Sequence, residues 1–451
     1  MPFHAFVGLA LPLALVASGG CQRAPPGNPS TVVFATAGTA PLVLPPPGAT
    51  PSVQKFSKVV GWPAGKTPRA KGFQVKAFAR DLVNPRNLYI APNGDVLVAE
   101  ANTEMDGPKA FGAKLIGYAA SERIAKSPNK ITLLRDADHD GVPETRTVFL
   151  AGLNRPFGMA IVGDAFFVAN TDGLYRYPYR RGQTAIEGPG TKILALPAGG
   201  YNNHWTRNLL VSEDGAKLFV TVGSGSNVAE HGVANEVRRA NVLEVSLDGS
   251  GERVYASGLR NPVGLAYAPG TRTVWTAVNE RDELGDELVP DYMTGLKPGA
   301  FYGWPYFYFG KHPDPRMKDV PVPPTAENPL VPDVPLGAHT ASLGLAFDEG
   351  PMLGERYRGG AFVGQHGSWN RSTLSGYQVV FVPFSQGRPS GPPEEFLGGF
   401  IANAETREVY GRPVGVAFEK DGSLLVADDA GNTVWRVSLT ATTPSSPSRT
   451  R

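Results

Sequence analysis

The amino-acid sequence predicts an all-β fold and, within that class, a six-bladed β-propeller. Glycine and proline are both frequent, at 54 and 42 of 451 residues, and this composition indicates many turns between short elements. The stronger observation is a repeated pattern: a polar opening, an apolar strand, a turn such as Asn-Gly or Asp-Gly, and a second apolar strand. It occurs six times, at residues 84–100, 154–170, 205–224, 260–280, 339–368 and 411–431.

Additional strand-like runs between these hairpins complete the sheets. They are ITLLRD, NVLEVSL, YQVVFVPF and TVWRVSL. A propeller blade is a four-stranded sheet, and blades arranged around a central channel bring the polar openings of their inner strands to one mouth. The longest interval, residues 281–338, contains the aromatic run AFYGWPYFYFG and is predicted to be an inserted loop that covers this mouth.

Both ends of the chain are predicted to lie outside the propeller. Residues 1–21 contain the apolar run FVGLALPLALVASGG, which is typical of a secretion signal. The Pro-rich residues 22–60 are predicted to form a flexible tether, and residues 441–451 a disordered tail. The propeller domain is assigned to residues 61–440.

The single cysteine, Cys21, directly follows the apolar run, as the acylated cysteine of a bacterial lipoprotein does. Two features differ from that pattern, since Ser18 stands where leucine is usual and no Lys or Arg precedes the run. A plain secretory signal is the alternative. Both interpretations predict export, to the periplasm or the outer-membrane surface, and the first adds a lipid anchor at Cys21.

Charge and motif content exclude some classes of partner. The net charge is +2 and no long basic block is present, so nucleic acid is not expected as a partner. A G-x-G-x-x-G fingerprint after a strand is also missing, so a nicotinamide cofactor is not indicated.

Several openings bring cationic side chains to the predicted mouth: Arg260 with Asn261, His366 and Arg412, with His204 just before the third opening. Such a cluster suits an anionic, planar ligand, because Arg donates in pairs to carboxylates and offers a flat face for stacking. His works as a general base near neutral pH. The alternative for any one of these residues is a capping role at the start of its strand.

An ordered set of motifs extends this interpretation. SGLRNPVGLAY is followed by the acidic loop NERDELGDEL and then by FYGWP. Over roughly residues 72–438 the chain resembles the soluble sugar dehydrogenases that depend on pyrroloquinoline quinone (PQQ), of the sorbosone and glucose dehydrogenase kind. The resemblance implies oxidation of a sugar or sugar-derived aldehyde, with electrons passed to a quinone or cytochrome acceptor.

The resemblance also implies roles for the residues of the mouth. His204 matches the histidine base that takes the hydroxyl proton, and Arg260 with Asn261 matches the pair that contacts the quinone. Arg412 matches an arginine for the quinone carboxylates, while His366 stands where the family has a lysine contact. Trp304, in the YGWP motif, would lie beside the substrate and cofactor.

A calcium ion beside the quinone is a further implication of the resemblance. Its ligands would be the backbone carbonyls of Glu280 and Arg281, where the glucose enzymes have Gly-Pro. Asp286 and Glu287, in the acidic loop, match acidic residues that bind calcium in the family.

A separate acidic loop, RDADHDGVPE, contains Asp136, Asp138 and Asp140 at alternate positions before a glycine. This is the first half of an EF-hand-type calcium loop, with Glu144 at position 9 and no glutamate at position 12. The loop is predicted to bind a structural calcium ion, and the alternative is a solvated acidic turn.

Two other functions fit a propeller of this sequence. One is a calcium-dependent hydrolase of the lactonase kind, whose site would consist of carboxylates and an Asn around a metal. The other is a non-catalytic propeller that binds a glycan or a protein. The mainly cationic mouth disfavours the hydrolase.

Overall fold

The computed structural model describes residues 31–33, 42–105, 112, 114–115, 117–121 and 124–440. The predicted secretion signal, Cys21, the first part of the predicted tether and the tail lie outside them. Nearly all regular structure is β-strand, so the prediction of an all-β fold is confirmed. Among the residues described above, helix occurs at positions 112 and 114–115, in one α-helical turn, Tyr118–Ser121, and in two 3-10 turns, Val233–Glu236 and Pro324–Ala326. None of the helices in these residues has the length and apolar character needed to cross a bilayer.

Six four-stranded antiparallel sheets dominate the fold, numbered here in chain order from the first complete hairpin. Sheet 1 contains Pro85–Ile90, Val96–Glu100, Lys130–Arg135 and Thr145–Leu150. Sheet 2 contains Gly158–Val162, Ala165–Asn170, Gly173–Pro178 and Thr191–Ala195. Sheet 3 contains Leu209–Val211, Lys217–Val222, Asn241–Ser246 and Arg253–Ser257.

Sheets 4 and 5 follow the same order but carry insertions before their last strand. Sheet 4 contains Pro262–Tyr267, Val274–Val278, Pro290–Gly295 and Val334–Ala338. Sheet 5 contains Ser342–Phe347, Ala361–Gln365, Gln378–Val382 and Glu394–Leu397. Sheet 6 contains Pro413–Phe418, Leu424–Asp428, Thr433–Leu439 and, as its outermost strand, Phe73–Ala79 from the other end of the domain.

Each of the six predicted hairpins forms the first two strands of one sheet. The prediction for residues 281–338 is corrected, because Pro290–Gly295 and Val334–Ala338 are strands of sheet 4 rather than inserted loop. These two strands were not predicted because they contain proline and glycine, which are uncommon in strands. Pro335 is tolerated because its strand is outermost in the sheet, where one side of the backbone needs no partner.

Short pairs of strands make up the remaining regular structure. They are Thr31–Val33 with Leu42–Leu44, Phe307–Tyr308 with His312–Pro313, Phe384–Ser385 with Arg388–Pro389, and Ile401–Asn403 with Glu408–Val409 and Lys58–Val59.

The first strands of the six sheets contact one another in a closed cycle, from sheet 1 through sheet 6 and back to sheet 1. Glycine makes this close approach possible. A Cβ atom at Gly158 would lie 2.5 Å from the backbone nitrogen of Leu209, and one at Gly344 would lie 2.2 Å from the carbonyl oxygen of Val414. A larger residue at either position would force neighbouring strands apart.

The core consists of apolar layers between neighbouring sheets. Phe149 and Phe166 meet between sheets 1 and 2, for example, and Phe362 and Trp435 lie in the layer between sheets 5 and 6. Burial of each such side chain contributes roughly 1.5–3 kcal/mol, so the layers hold the cycle of sheets together.

The N-terminal segment, residues 42–62, crosses the mouth instead of extending away from the sheets. Its backbone bonds and side chains hold it on loops of sheets 1, 4, 5 and 6. The contacts are Gly48 N to Leu284 O (2.9 Å), Lys55 N to Trp369 O (2.8 Å), Ser57 Oγ to Ser121 Oγ (3.0 Å) and Trp62 Nε1 to Asp428 Oδ2 (2.7 Å). This part of the predicted tether is therefore anchored along its length.

Candidate active site

The mouth lies at the end of the sheets where each first strand begins and each second strand ends. Antiparallel pairing brings these two positions together, as Pro85 with Glu100 and Pro262 with Val278 illustrate. His204, Arg260, Asn261, His366 and Arg412 all occupy such positions or the loops beside them. The repeat therefore explains why residues far apart in the chain meet here.

His204 lies in the loop before sheet 3, with Nδ1 at 2.9 Å from both the carbonyl oxygen and Oγ of Ser224. A carbonyl oxygen only accepts hydrogen bonds, so Nδ1 carries the proton and Nε2 carries the free lone pair. Burial of the imidazole, followed by the positive charge of Arg260, lowers the pKa of His204 to about 3. The ring is thus neutral and able to accept a proton at physiological pH.

Gly223 sets the distance between His204 and the sheet 4 opening. A Cβ atom there would lie 2.6 Å from the Cβ of His204 and 2.5 Å from Oδ1 of Asn261. The next residue, Ser224, donates its backbone N–H to the carbonyl oxygen of Arg260 at 2.7 Å. The end of one strand in sheet 3 therefore holds the base next to the Arg-Asn pair.

Arg260 is almost fully buried and bonds several protein groups. Its Nη2 pairs with Asp282 Oδ2 at 2.9 Å and its Nη1 donates to the carbonyl oxygen of Glu280 at 2.5 Å. Asn227 accepts from the same guanidinium through its Oδ1 at 2.9 Å. Burial alone would raise the pKa of Asp282, but Arg260 holds it well below its usual range. A buried positive charge is thereby fixed beside His204.

Asn261 provides the clearest sign of a missing ligand. Its Oδ1 is buried and has no hydrogen-bond partner among the residues that the structure describes. A buried polar atom without a partner costs roughly 1–3 kcal/mol, so a bound donor is expected here. All three nitrogens of the neighbouring Arg260 guanidinium bond protein acceptors, so the pair offers PQQ a free acceptor at Asn261, and a contact with Arg260 requires the guanidinium to exchange one of these bonds.

His366, Asp429 and Arg86 form a second charged group at the mouth. His366 Nε2 lies 2.9 Å from Asp429 Oδ2, which also pairs with Arg86 Nη1 at 2.5 Å. Burial would raise the pKa of Asp429, but His366 and Arg86 together keep it well below its usual range. Because Asp429 bonds both His366 and Arg86, one carboxylate next to sheet 6 orients both side chains.

Arg412 is directed to the protein rather than into the channel. Its guanidinium donates to the carbonyl oxygens of His366 (3.0 Å), Ser121 (3.0 Å) and Gly367 (2.8 Å). It lies over the ring of Tyr377. Arg412 lies at the mouth, as predicted from the sequence, whereas its contact with a cofactor stays a prediction.

The calcium site predicted at the backbone carbonyls of Glu280 and Arg281 stays a prediction. The carbonyl oxygen of Glu280 faces the guanidinium of Arg260, and the side chain of Arg281 is paired with Asp314 at 2.6 Å. A carbonyl that accepts from a cation does not fit a calcium ion unless Arg260 moves. Burial raises the pKa of the Glu280 carboxyl to about 7.

Three further residues of the predicted site lie around the Arg260–Asp282 pair without joining it. They are Trp304, Asp286 and Glu287. Trp304 is buried and donates its Nε1 to the carbonyl oxygen of Asn227 at 2.9 Å, so it supports Arg260 through one residue. Asp286 and Glu287 bond the loop between the second and third strands of sheet 5, where Arg371 contacts the carbonyl oxygen of the first and the carboxylate of the second. Their metal-binding roles stay predictions.

The acidic loop lies away from the mouth. It joins the third and fourth strands of sheet 1, and antiparallel pairing places that turn at the opposite end of the sheet. The carboxylates of Asp136, Asp138, Asp140 and Glu144 come together there, with ligand atoms within 4.8 Å of one another. The sequence-based grouping is therefore present as one cluster.

Comparisons with known proteins assign the chain to a family. The family model described as TrAA12-like matches residues 68–292 and 324–440, which is more than half of the chain. The chain belongs to the TrAA12-like family. The predicted relationship to the PQQ-dependent sugar dehydrogenases is thereby confirmed.

Individual relatives of this TrAA12-like protein are distant. A PQQ-dependent pyranose dehydrogenase of Coprinopsis cinerea is 24% identical over an alignment of 443 residues, which covers 84% of this chain and 56% of that protein. An uncharacterized protein of Borreliella burgdorferi is 30% identical over 244 residues, 54% of this chain and 62% of that one. The chain thus spans about three-fifths of the curated relatives it matches first.

Solved structures share the fold. The holo PQQ domain of the Coprinopsis cinerea pyranose dehydrogenase has a TM-score of 0.64 at 20% identity, covering 85% of this chain and 100% of that one. A calcium structure of the Trichoderma reesei AA12 enzyme has a TM-score of 0.65 at 18% identity, covering 85% and 98%. At these identities the likeness establishes the fold of the TrAA12-like chain.

Sequence reasoning missed Arg86, Asp282, Asn370 and Asp429. Arg86 had a visible signal, because NPRN at the first opening contains the same Arg-Asn pair as RNP at the fourth. Asp282 lies within the acidic loop NERDELGDEL, which was interpreted as a calcium loop rather than as the partner of Arg260. Asp429 and Asn370 lie in loops after second strands, where acidic and amide residues are common, so nothing in the sequence set them apart.

Arg207 anchors the loop of the histidine base in this TrAA12-like protein. It is fully buried and donates to the carbonyl oxygens of His204 (2.7 Å) and Pro197 (2.7 Å) and to Asn202 Oδ1 (3.1 Å). Burial, followed by the charges of Arg239 and Arg155, lowers its pKa to about 9. The loop therefore depends on a single guanidinium that bonds several acceptors.

We expect Arg207→Lys to lower kcat about tenfold with a smaller change in KM. An ammonium cannot reach all these acceptors at once, so His204 would lose its fixed position. Steady-state kinetics with thermal unfolding of each variant provide the measurement. Arg239→Lys is the matched control, because Arg239 shares Asn202 Oδ1 but does not bond His204. Equal losses in both variants would argue against a positioning role for Arg207.

Proposed function

We propose that this protein is an oxidoreductase that oxidises a sugar, or a sugar-derived aldehyde, with PQQ as its cofactor. The observation that carries the proposal is the neutral His204 held next to Arg260 and the unpartnered Asn261 Oδ1. Family membership supports the same chemistry. We further propose that the six sheets are the six blades of a closed β-propeller, since their first strands meet in a cycle.

In the proposed reaction His204 is the general base. Its Nε2 accepts the proton of the substrate hydroxyl, while Nδ1 stays bonded to Ser224 and holds the ring in orientation. Arg260 and Asn261 would hold the cofactor, with the guanidinium placed to stabilise negative charge that develops on it. When bound, PQQ would supply an electrophilic quinone that accepts the hydride of the substrate carbon, so that the two electrons and the second hydrogen leave together. A calcium ion beside PQQ is part of the same proposal and would polarise the quinone carbonyl when bound.

Reconstitution tests the proposal directly. The apo-protein would be titrated with PQQ in the presence of calcium or of EDTA, with binding followed by absorbance and dye reduction measured across a panel of aldoses and sugar aldehydes. Saturable binding and sugar-dependent dye reduction are expected. Absence of binding at micromolar PQQ would refute the assignment and favour a non-catalytic, glycan-binding propeller.

Substrate and cellular context belong to the same proposal. A sorbosone- or aldose-type substrate is proposed from the motif resemblance, and a quinone or cytochrome is proposed as the electron acceptor. We propose export to the periplasm or outer-membrane surface, with lipidation of Cys21 as the means of attachment. Mass spectrometry of the mature N-terminus tests the last point.

The acidic loop is proposed to bind a structural calcium ion. Millimolar calcium should raise the unfolding midpoint by about 2 °C or more, because a ligand that binds only the folded state stabilises it. Asp140→Asn should abolish the calcium-dependent shift. Asp164→Asn, at an exposed aspartate of sheet 2, serves as the control and should retain the calcium-dependent rise of the unfolding midpoint. An equal shift in all proteins would indicate that calcium acts elsewhere.

A further inference from the structure

A small groove opens at the mouth between the N-terminal segment and the loops of sheets 4 and 5. Residues 52–54 form one wall, Glu283 and Arg316 another, and Trp369 with Asn370 the third. Its volume is about 280 Å³, near the roughly 300 Å³ at which small-molecule pockets begin. The groove is therefore large enough for one small ring and not for a long polymer.

The groove is connected to the active site through one side chain. Asn370 lines the groove and donates its Nδ2 to Asp282 Oδ1 at 2.6 Å. The other carboxylate oxygen, Asp282 Oδ2, pairs with Arg260. A ligand in the groove would thus lie next to the group that is proposed to bind cofactor and substrate.

Two of its walls come from segments outside the matched family residues. Residues 52–54 precede the match, and Arg316 lies in the unmatched interval between residues 292 and 324. The N-terminal wall is held in place, because Lys55 donates to the carbonyl oxygen of Trp369 and Phe56 stacks on the Trp369 ring. Segments outside the family match therefore contribute to the groove, and the N-terminal one is anchored beside it.

The lining matches a neutral, hydroxyl-rich ligand. Arg316 and Glu283 are paired with each other, so their charges offset and leave donors and acceptors rather than a net charge. Gln54 and Asn370 add amide groups, which donate and accept, and Trp369 adds a partly exposed aromatic surface. Sugar rings present hydroxyls that do both and C–H faces that pack on aromatic rings.

We propose that this groove binds a second sugar unit, next to the ring that is oxidised, so that short saccharides are preferred over monosaccharides. The proposal rests on the proposed function, since it assigns a substrate class to the same mouth. The N-terminal segment is then a specificity determinant, because without it the groove has no outer wall.

Binding of glucose, maltose and cellobiose to the apo-protein tests the groove without any turnover. In saturation-transfer NMR, both rings of a disaccharide should receive magnetisation in the wild type. Gln54→Ala should weaken transfer to the non-reducing ring. Gln74→Ala is the matched control, at an exposed glutamine on the outermost strand of sheet 6. It should leave transfer to the non-reducing ring unchanged. Transfer confined to the reducing ring of the wild type would overturn the proposal.

Kinetics of the PQQ-loaded protein provide the second arm. The ratio of kcat/KM for disaccharide to that for glucose should exceed one and fall about tenfold in Gln54→Ala, as expected for a lost hydrogen bond. If PQQ binds and glucose is oxidised but this ratio is the same in both proteins, the groove assignment fails while the proposed function stands. If PQQ does not bind, the proposed function fails and the NMR result still decides the groove.

Discussion

Replacing His204 by glutamine is expected to lower kcat by about 10²–10⁴-fold, the usual contribution of a general base. Glutamine is close in size and can keep the bond to Ser224, so the fold should be retained while the basic nitrogen is lost. PQQ affinity, measured by titration, should change little because His204 is not proposed to hold the cofactor.

The pH dependence offers an independent check on His204. Burial and Arg260 lower its pKa to about 3, so the base is already deprotonated well below neutrality. The acidic limb of kcat/KM should therefore lie below pH 5, rather than near the pKa of about 6.5 of an unperturbed histidine. An acidic limb near pH 6.5 that persists in His204→Gln would assign the base to another group.

The free energy of unfolding should depend on pH because the pKa of His204 is lower in the folded protein. Because the folded-state pKa lies below the unfolded value, His204 contributes stability that is fully present above about pH 6.5 and lost as pH falls toward 3. The loss of unfolding free energy between pH 7 and pH 5 should be smaller in His204→Gln than in the wild type. His139→Gln, an exposed histidine in the acidic loop, is the control and should behave as the wild type does.

Arg260→Met is expected to produce the largest combined loss of stability and cofactor affinity. The variant removes the guanidinium from the largely buried Asp282 and leaves His339 Nδ1, at 3.6 Å, beside it. Breaking a buried pair costs about 3–5 kcal/mol, and His339 should bring the loss to the lower end of that range. The Kd for PQQ should rise roughly 10–100-fold, since a charged hydrogen bond contributes about 1.5–3 kcal/mol. Denaturant unfolding and absorbance titration measure the two effects separately.

A double variant separates folding from binding. In Arg260→Met with Asp282→Asn the unpaired charge is removed, so much of the lost stability should return. The Kd for PQQ should remain high, because the guanidinium is still missing. If the double variant regained PQQ affinity together with stability, Arg260 would be a structural residue only.

The hairpins were predictable because their information is local. Alternating apolar residues and an adjacent turn specify each pair of strands within about twenty residues, as in 84–100 and 411–431. The polar openings were visible for the same reason, and they identified His204, Arg260 and Asn261. By contrast, Pro290–Gly295 and Val334–Ala338 were not recognised, because tertiary pairing overrides their poor strand composition.

Long-range pairing decided the rest of the fold. Phe73–Ala79 completes sheet 6 by pairing with Thr433–Leu439, and no turn in the sequence joins these two strands. The N-terminal segment appeared as a tether because it is rich in proline. Its order comes from partners such as Trp369 and Asp428, more than three hundred residues away.

By itself, the sequence determined the all-β class, the six hairpins, the histidine base candidate and the cationic character of the mouth. These features follow from local periodicity and from residue types at repeated positions. Only the tertiary structure decided which charges are paired, since pairing depends on distances between loops of different sheets. It placed Asp282 on Arg260 and Asp429 between Arg86 and His366, and it directed Arg412 to backbone carbonyls.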